Sequence, residues 1–563
     1  MMPWYKLNYG DNIFTTNLYL EYMKKIYSLL FVALFLFLGY SCDDGSLDHS
    51  DVFIPEPVEE NFDDDGIAPE PTTTAVVRMK IREENKHQVI DGFGCAFCGW
   101  SHRIWNTMQR DAVIEDLFSE NGLDLNIFRG EIFPSYGNPT TGDIEFKMDR
   151  NFMLQPDDPS MINNYWRNYN GEECGEQCQL GQMWLVDLIS RKYKDVNFFF
   201  SVWCPPIKWK SNNKLNGGSL KSEYYDEYAQ YLLDFVDAYE QKFGIDIYAL
   251  SGWNEPDKLA SLGGWATCAW SEEEMAKFVL EKLRPAMEKR GHSDMKLVYA
   301  ENAQWKWAVD FINNSLKKYP ELVDPNFIVA GHGYSTRDEN VIPFEEAEKR
   351  NVHMWQTELS DDKGRQETWP DAMKWAKTFH AYMANANMSA FVWWSGARPC
   401  STTGENLIQL EEALPSTYYY RVPRYYTFGQ FSKFIEQNAV RVDVEAISSE
   451  TDKLPEDLLV SAYVKDDTYT IVLINLSQKE SFSTLIEIEG VEFQNMRTYT
   501  SSEYVKWKHK KINPSQSGLR SITVPKYSVV TVTGKMKNHE VEDRKSTRLN
   551  SSHGYRSRMP SSA

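Results

Sequence analysis

Short apolar segments alternate with longer amphipathic ones through the middle of the chain. In residues 222–243, Tyr225, Tyr228 and Leu232 recur on one face, a period typical of a helix packed on a core. A second helix is predicted from Ser271, which begins a capping box with the glutamates that follow it. Eight apolar segments have the pattern of buried strands: 93–98, 125–130, 197–204, 247–254, 296–302, 327–334, 352–359 and 390–396.

Strands that alternate with helices predict a parallel sheet, and eight repeats predict a closed (β/α)8 TIM barrel over residues 90–436. An open, doubly wound sheet is the alternative, but no GxGxxG motif follows an early strand. Polar and aromatic residues recur at the carboxyl ends of the strands, where barrel enzymes place their active sites. These residues are Arg129, Glu131, Trp203, Asn254, Glu255, Glu301, His332, Tyr334, Glu358, Trp393 and Trp394.

The pattern changes at both ends of this region. Residues 437–536 show strand alternation with turns between the strands, which indicates a β-sandwich, and residues 75–89 are expected to join it. Residues 537–563 show no hydrophobic period and are expected to be a non-structural tail. Its last part, 544–563, resembles translated sequencing-adapter read-through, so we assign it no function.

The amino-terminal segment has the organisation of a bacterial lipoprotein signal. Lys24 and Lys25 precede the apolar run 26–40, and Cys42 follows it. The run is shorter than the roughly 20 residues that a membrane-spanning helix needs. We therefore expect Cys42 to be lipidated, with an ordinary signal peptide as the alternative.

This signal predicts that translation starts at Met23, so we expect residues 1–22 to be untranslated and residues 23–42 to form the signal peptide. Residues 43–74 are acidic, contain prolines and have no Lys or Arg, a composition typical of a disordered tether. We expect an outer-membrane protein attached to the membrane by its lipid anchor only, and it could face either the cell surface or the periplasm.

Charge and composition exclude several classes of function. A formal net charge of −21 opposes binding to nucleic acid. Eight cysteines in 563 residues are too few for a disulfide scaffold, and no Cys or His cluster has the spacing of a metal site. Cys174 and Cys178 could pair in an oxidising compartment, and at least one other thiol is expected to stay free.

Aromatic residues make up 14% of the chain. Their rings build cores, and they also form flat platforms for sugars. For each candidate platform, core packing is the alternative. The candidates are Trp100, Trp203, Trp209, Trp265 and Trp270.

Two glutamates stand out among the residues at the strand ends. Glu255 follows the fourth strand in Trp-Asn-Glu-Pro, and Glu358 ends the seventh strand, 103 residues later. That separation fits three barrel units of about 34 residues, and strands four and seven face each other across a barrel mouth. Retaining glycoside hydrolysis needs two carboxyl groups about 5–5.5 Å apart. Asn254, beside Glu255, could bond a sugar 2-hydroxyl.

Several motifs occur in the order and spacing of glycoside hydrolase family 30, which belongs to the clan with catalytic glutamates on strands four and seven. The chain resembles this family from about residue 89 to residue 442, and the resemblance also implies a side β-sandwich built from both ends of the chain. The motifs are IDGFG at 90–94, WCPP at 203–206, GGSLK at 217–221, NEP at 254–256, HGY at 332–334, WQTE at 355–358 and FGQFSKFI at 428–435.

The resemblance implies that Glu255 is the acid/base and Glu358 the nucleophile. It also implies that Arg129 orients the nucleophile, and that His332 and Tyr334 bond Glu358 or the sugar. No metal or organic cofactor is implied, and we expect a monomer. The expected substrate-binding residues are Asn254, Arg129, Trp203, His332, Tyr334, Trp393, Trp394 and Arg398.

Residues 216–221 and 392–394 resemble the xylanase branches of family 30 most. The glucuronoxylanase branch clamps a uronic acid with an arginine between tyrosines. Arg398 matches the arginine, but the tyrosines are absent, so Arg398 is expected either to meet an acidic branch or to brace its loop. We predict a retaining endo-β-glycanase acting on xylan or another hemicellulose. The alternatives are a β-1,6-glucanase or galactanase, an exo-acting β-glycosidase and a non-catalytic surface glycan-binding lipoprotein.

Overall fold

The computed structural model describes residues 73–98, 101–134, 176–257, 266–361, 364–399, 402–413, 416–447, 453–488, 493–512 and 520–536. Contacts divide the chain into Met1–Glu59 and Glu60–Ala563, and every described residue lies in the second unit. The predicted signal peptide, Cys42, residues 43–72 of the predicted tether and the tail lie outside the described residues. Thr73 and Thr74, which were predicted to end the tether, begin the strand Thr73–Val89 instead, because they pair with Glu480 and Ser481 of the side domain. No helix in the described part of the chain is long and apolar enough to cross a membrane.

Eight parallel strands close into a barrel, which confirms the predicted fold class. The barrel closes where its first strand pairs with its last, with Gly92 opposite Ala390. Each observed strand lies within a few residues of a predicted one. In chain order the strands are β2 (Gly92–Ala96), β3 (Ile127–Glu131), β4 (Asn197–Ser201), β5 (Ile247–Ser251), β6 (Lys296–Asn302), β7 (Phe327–His332), β8 (His353–Glu358) and β9 (Ala390–Trp393).

The barrel interior is filled by side chains from alternate strand positions, among them Ile127, Phe199 and Trp355. The strand residues between them point outward and pack against the helices. Ser271 forms the predicted capping box with Glu274. The described helices are Ser101–Trp105, Arg110–Phe118, Glu176–Lys192, Tyr225–Phe243, Glu272–Phe278, Arg284–Arg290, Trp305–Lys318, Glu345–Glu348, Trp369–His380 and Pro423–Ser432, with π turns at Val279–Leu283 and Ala381–Asn385 and 3-10 turns at Ile207–Trp209, Ser222–Tyr224, Pro320–Leu322 and Asp338–Asn340.

The side domain is built from both ends of the described chain, as predicted. Its described residues form one hydrogen-bonded sheet of nine strands, in which Thr73–Val89 runs between Val440–Ala446 and Glu480–Ile488. Met496 and Val524, from strands near opposite ends of this sheet, share one apolar cluster, so the sheet folds over its own core. Its strands are β1 (Thr73–Val89), β13 (Val440–Ala446), β14 (Leu458–Lys465), β15 (Thr468–Asn475), β16 (Glu480–Ile488), β17 (Phe493–Ser501), β18 (Lys508–Lys511), β19 (Arg520–Val524) and β20 (Ser528–Met536).

A small three-stranded sheet extends the loop between β9 and the last barrel helix, at the carboxyl ends of the barrel strands. It consists of β10 (Ala397–Arg398), β11 (Ile408–Leu410) and β12 (Tyr419–Arg421). An isolated β-bridge between Thr107 and Ser416 ties its connecting loop to the segment that follows the first barrel strand. In this bridge the N–H of Met108 donates to the carbonyl of Ser416, and the N–H of Ser416 donates to the carbonyl of Asn106. This sheet therefore braces one side of the rim.

Candidate active site

Five strands bring charged side chains to one end of the barrel. Arg129 lies on β3, Glu301 on β6, His332 on β7 and Glu358 on β8, and Glu255 follows β5. Parallel strands end at the same rim, so residues far apart in sequence meet there. Arg129, Glu301 and His332 have no exposed surface, while Glu255 and Glu358 keep 6% and 5% exposure. The two glutamates are thus the members of the cluster that solvent or a ligand can reach.

The carboxylates of Glu255 and Glu358 face each other. One oxygen of each, together with a nitrogen of His332, lie within 4.8 Å of one another. The two carboxyl groups lie about 5–5.5 Å apart in retaining glycosidases and about 6.5–9.5 Å apart in inverting ones. The close approach of Glu255 and Glu358 is therefore typical of a retaining enzyme. The sequence predicts no metal here, and the permanent positive charge of Arg129 beside Glu358 opposes a metal ion at this position.

Both oxygens of Glu358 accept hydrogen bonds. Arg129 donates from Nη1 to Oε2 at 2.5 Å, and Tyr334 donates from its phenol to Oε1 at 2.9 Å. Burial raises the pKa of Glu358, and the negative charge of Glu255 raises it further, whereas His332 and Arg129 act in the opposite direction. Arg129 therefore lies where the sequence-based hypothesis requires it, against the predicted nucleophile.

Glu255 is held by its backbone as well as its side chain. Its φ of 48° is in the left-handed region, and its N–H donates to the carbonyl of Glu301 at 3.0 Å. Its Oε1 lies 3.2 Å from Nδ1 of His332. His332 is 3.9 Å from Glu358, so in this structure it bonds Glu255, a partner that the sequence did not suggest.

His332 is surrounded by carboxylates. Burial alone would lower its pKa, but Glu358, Glu255 and Glu301 outweigh that effect and raise the pKa of His332 to about 9. The ring is therefore an imidazolium at neutral pH, and Nδ1 donates the bond to Glu255.

Glu301 belongs to this cluster, although it is absent from the predicted site residues. Its Oε1 lies 3.0 Å from Nη2 of Arg129 and 3.7 Å from Nε2 of His332, and its Oε2 accepts from the hydroxyl of Ser201 at 2.9 Å. Burial would raise its pKa, but Arg129 and His332 lower the pKa of Glu301 to about 2. Its position at a strand end was the only signal in the sequence.

Arg129 also contacts Asn254 and Trp203, two of the predicted substrate-binding residues. It donates from Nη2 to Oδ1 of Asn254 at 2.6 Å, and its guanidinium carbon lies 4.7 Å from the ring centre of Trp203. The Nδ2 of Asn254 is buried without a hydrogen-bond partner among the described residues. Asn254 thus keeps an unused donor next to Glu255, as a contact to a sugar hydroxyl would require.

The two tryptophans at the end of the eighth barrel strand point in different directions. Trp393 is fully buried, its ring centre lies 4.8 Å from that of Trp375, and its Nε1 donates to the carbonyl of Glu405. The prediction that Trp393 binds substrate was wrong, because strand alternation turns its ring toward the helices. Trp394 is half-buried and lies on the opposite face, with its ring centre 5.9 Å from that of Trp203.

Arg398 forms an ion pair with Glu405, and its carbonyl accepts from Asn406 at 2.8 Å. It therefore braces its own loop, the second of the two roles expected from the sequence. Of the predicted platforms, Trp270 packs in the core against Trp253 and Phe278.

Trp209 is partly exposed and stacks on Tyr224, so it keeps the geometry of a platform.

Cys95, Cys98, Cys204 and Cys268 are buried and free, which confirms the expectation of unpaired thiols. The remaining predicted platforms and the predicted disulfide lie outside the residues whose side chains are described: Trp100, Trp265, Cys174 and Cys178.

Known proteins share this architecture. Residues 172–414 match glycosyl hydrolase family 59. Lysosomal acid glucosylceramidase of Mus musculus is 22% identical over 436 residues, which cover 71% of this chain and 78% of that protein. The catalytic domain of GH30 xylanase C from Talaromyces cellulolyticus has a TM-score of 0.64 at 21% identity, covering 81% of this chain and all of that domain. The endo-β1,6-glucanase BT3312 has a TM-score of 0.59 at 18% identity, and the match covers 82% of this chain and 94% of that protein.

The barrel, its side sheet and these matches define a glycoside hydrolase. More narrowly, the matches support a family-30-like glycoside hydrolase of clan A, the family that the sequence motifs resemble. The relatives act on different glycans by their names, so the family alone does not specify the substrate.

Proposed function

We propose that this protein is a retaining endo-β-glycanase that hydrolyses xylan, with Glu358 as the nucleophile and Glu255 as the acid/base. The observation that carries the proposal is the approach of the two carboxylates to within 4.8 Å at the ends of opposite barrel strands. At this separation no water fits between the sugar and the second carboxylate, so that carboxylate attacks the sugar itself.

In the first step, an oxygen of Glu358 attacks the anomeric carbon while Glu255 donates its proton to the glycosidic oxygen, and the bond to the leaving sugar breaks. A glycosyl ester forms on Glu358. In the second step, Glu255 takes a proton from water, the water oxygen attacks the anomeric carbon, and the ester bond breaks to release Glu358. Arg129 and Tyr334 stabilise the carboxylate that leaves in this second step.

The choice of xylan rests on three observations. The 216–221 motif resembles the xylanase branches, this chain matches a GH30 xylanase domain over the whole length of that domain, and the rings of Trp203 and Trp394 are neighbours just beyond the ends of their barrel strands. Arg398 is neutralised by Glu405, which supports a substrate whose recognition does not depend on a uronic acid.

The test is a product profile on arabinoxylan, glucuronoxylan, β-1,6-glucan, β-1,6-galactan and aryl β-glycosides. We expect xylo-oligosaccharides whose first-formed anomer is β by NMR, and no product from Glu358→Ala or Glu255→Ala. Glu345→Ala, which removes an exposed glutamate from a surface helix, is the matched control and should retain full activity.

Each other outcome identifies an alternative. Products from a β-1,6-linked polymer alone would replace xylan by that glycan. Monosaccharide released only from aryl β-glycosides would indicate exo action, and a first-formed α-anomer would refute the retaining mechanism. Tight polymer binding without any product would indicate a glycan-binding protein.

A further inference from the structure

The carboxylate of Glu301 lies behind the two proposed catalytic glutamates and contacts both of the cations that hold them. It is fully buried, 3.0 Å from Arg129 and 3.7 Å from His332. Arg129 in turn bonds Glu358 at 2.5 Å, and His332 bonds Glu255 at 3.2 Å. The carboxylate of Glu301 is therefore connected to Glu358 through Arg129 and to Glu255 through His332.

We infer that Glu301 is a positioning residue of the reaction, whose carboxylate holds Arg129 against Glu358 and His332 against Glu255. This inference rests on the proposed function. Glu301 has no exposed surface, unlike Glu255 and Glu358, so it acts through Arg129 and His332 and not on the substrate itself. Its own orientation is set from a third strand by Ser201, which donates to Oε2 at 2.9 Å.

The backbone of Glu301 contributes to the same arrangement. Ala300 and Glu301 have φ values of 87° and 51°, and Glu255 has 48°, all in a region that non-glycine residues seldom adopt. The carbonyl of Glu301 accepts the N–H of Glu255 at 3.0 Å. Such conformations persist only where surrounding contacts enforce them, and here the bond between these two segments is one of those contacts.

The charges around His332 come from every neighbouring element. Glu301 faces it from β6, Glu255 and Asp257 from the segment after β5, Glu358 from β8 and the cationic Arg129 from β3, and Tyr334 follows it on its own segment. Removing the charge of Glu301 takes away one of the carboxylates that stabilise the imidazolium and leaves the repulsion from Arg129 in place. We therefore expect His332 to lose its proton at a lower pH in that variant.

The experiment compares the wild-type enzyme with Glu301→Gln, which keeps the shape of the side chain and removes its charge. His332 is titrated by NMR with isotope-labelled histidine, and its signal is assigned by its loss in His332→Gln. We expect the titration midpoint of His332 to fall by about one pH unit or more. In the same variant, kcat on xylan should fall by about 30-fold or more with KM within about threefold, since the substrate contacts remain.

Asp116→Asn is the matched control, because Asp116 is another buried carboxylate bonded to an arginine, Arg421, at 2.7 and 2.8 Å. It should lower stability and leave the His332 titration unchanged. Glu301→Asp keeps the charge but moves the carboxylate away from Arg129 and His332, so it should largely preserve the His332 titration and still lower kcat. If Glu301→Gln does not fold, Glu301→Asp is the variant used to measure the effect on kcat.

An unchanged His332 titration in Glu301→Gln, or wild-type kcat in both Glu301 variants, would overturn the inference. The titration needs no turnover. A wild-type protein that hydrolyses nothing would therefore refute the proposed function, while the His332 titration would still report whether Glu301 controls the histidine.

Discussion

The phenol of Tyr334 donates to Oε1 of Glu358 at 2.9 Å, while the guanidinium of Arg129 occupies Oε2 of the same carboxylate. Burial raises the pKa of Tyr334 well above 10, and the negative charge of Glu358 raises it further. Tyr334 is therefore a neutral donor throughout the working pH range. The two donors fix the plane of the carboxylate that attacks the sugar in the proposed mechanism.

Tyr334→Phe should lower kcat on xylan by about 10- to 150-fold with little change in KM, because a hydrogen bond to a charged group contributes about 1.5–3 kcal/mol. Steady-state kinetics on purified protein test this. Tyr425→Phe is the control, since it removes a phenol that bonds the backbone of Asp116 at 2.7 Å, away from the cleft. A Tyr334→Phe enzyme as fast as wild type would show that this bond does not serve the reaction.

The buried charges of the site predict a pH range of greatest stability. The pKa of His332 rises from 6.5 to about 9 on folding, so its contribution is complete below pH 6.5 and is lost as the pH rises through about 9. The pKa of Glu301 falls from 4.5 to about 2, so its contribution is complete above pH 4.5 and is lost as the pH falls through about 2. Together they favour stability between about pH 4.5 and 6.5.

Calorimetric Tm values measured from pH 4.5 to 9 test this prediction. In His332→Gln the decline of Tm above pH 6.5 should be shallower than in the wild type. Parallel curves for the two proteins would mean that His332 does not couple to folding in this way.

The opposite orientations of Trp393 and Trp394 predict different effects of the same substitution. Trp393→Ala removes a core ring and should cost about 3–5 kcal/mol of unfolding free energy. Trp394→Ala should raise KM for xylan by about 10-fold or more, since stacking surface beside Trp203 is lost, with a smaller loss of stability. Urea unfolding and kinetics on both variants separate the two effects, and a reversed pattern would contradict the assignment of faces.

Lys210 is a fully buried cation that ties two rim segments together. Its Nζ donates to the carbonyls of Lys214 and Leu215 at 2.8 Å and of Thr267 at 2.6 Å. Lys210→Met should lower the free energy of unfolding by about 3 kcal/mol or more, because three carbonyls lose a charged donor. Lys306→Met, which removes an exposed lysine paired with Asp310, should change it by less than about 0.5 kcal/mol.

The signal sequence predicts that Cys42 carries the membrane anchor. Cys42→Ser should release the protein from the membrane fraction, because a thioether-linked lipid can form only on the cysteine. Mass spectrometry of the mature amino terminus provides the direct measurement. An unmodified terminus in the wild type would favour the ordinary signal peptide instead.

Sequence periodicity was sufficient for the architecture. The hydrophobic runs located all eight barrel strands and the two parts of the side sheet, because a strand buried between a core and a layer of helices must be apolar along most of its length. The spacing of Glu255 and Glu358 identified a pair on opposite strands, because barrel units have a nearly constant length.

Other features depended on contacts that no local pattern encodes. Trp393 and Trp394 are neighbours of the same type, and only the alternation of the folded strand assigns one to the core and the other to the cleft. The partner of His332 and the role of Glu301 were likewise decided by tertiary structure, because they depend on side chains from separate strands meeting within 4 Å. The sequence by itself thus determined the fold and the chemistry of the proposed catalytic pair, whereas tertiary packing decided which charges surround that pair, since such charges act through distances in space.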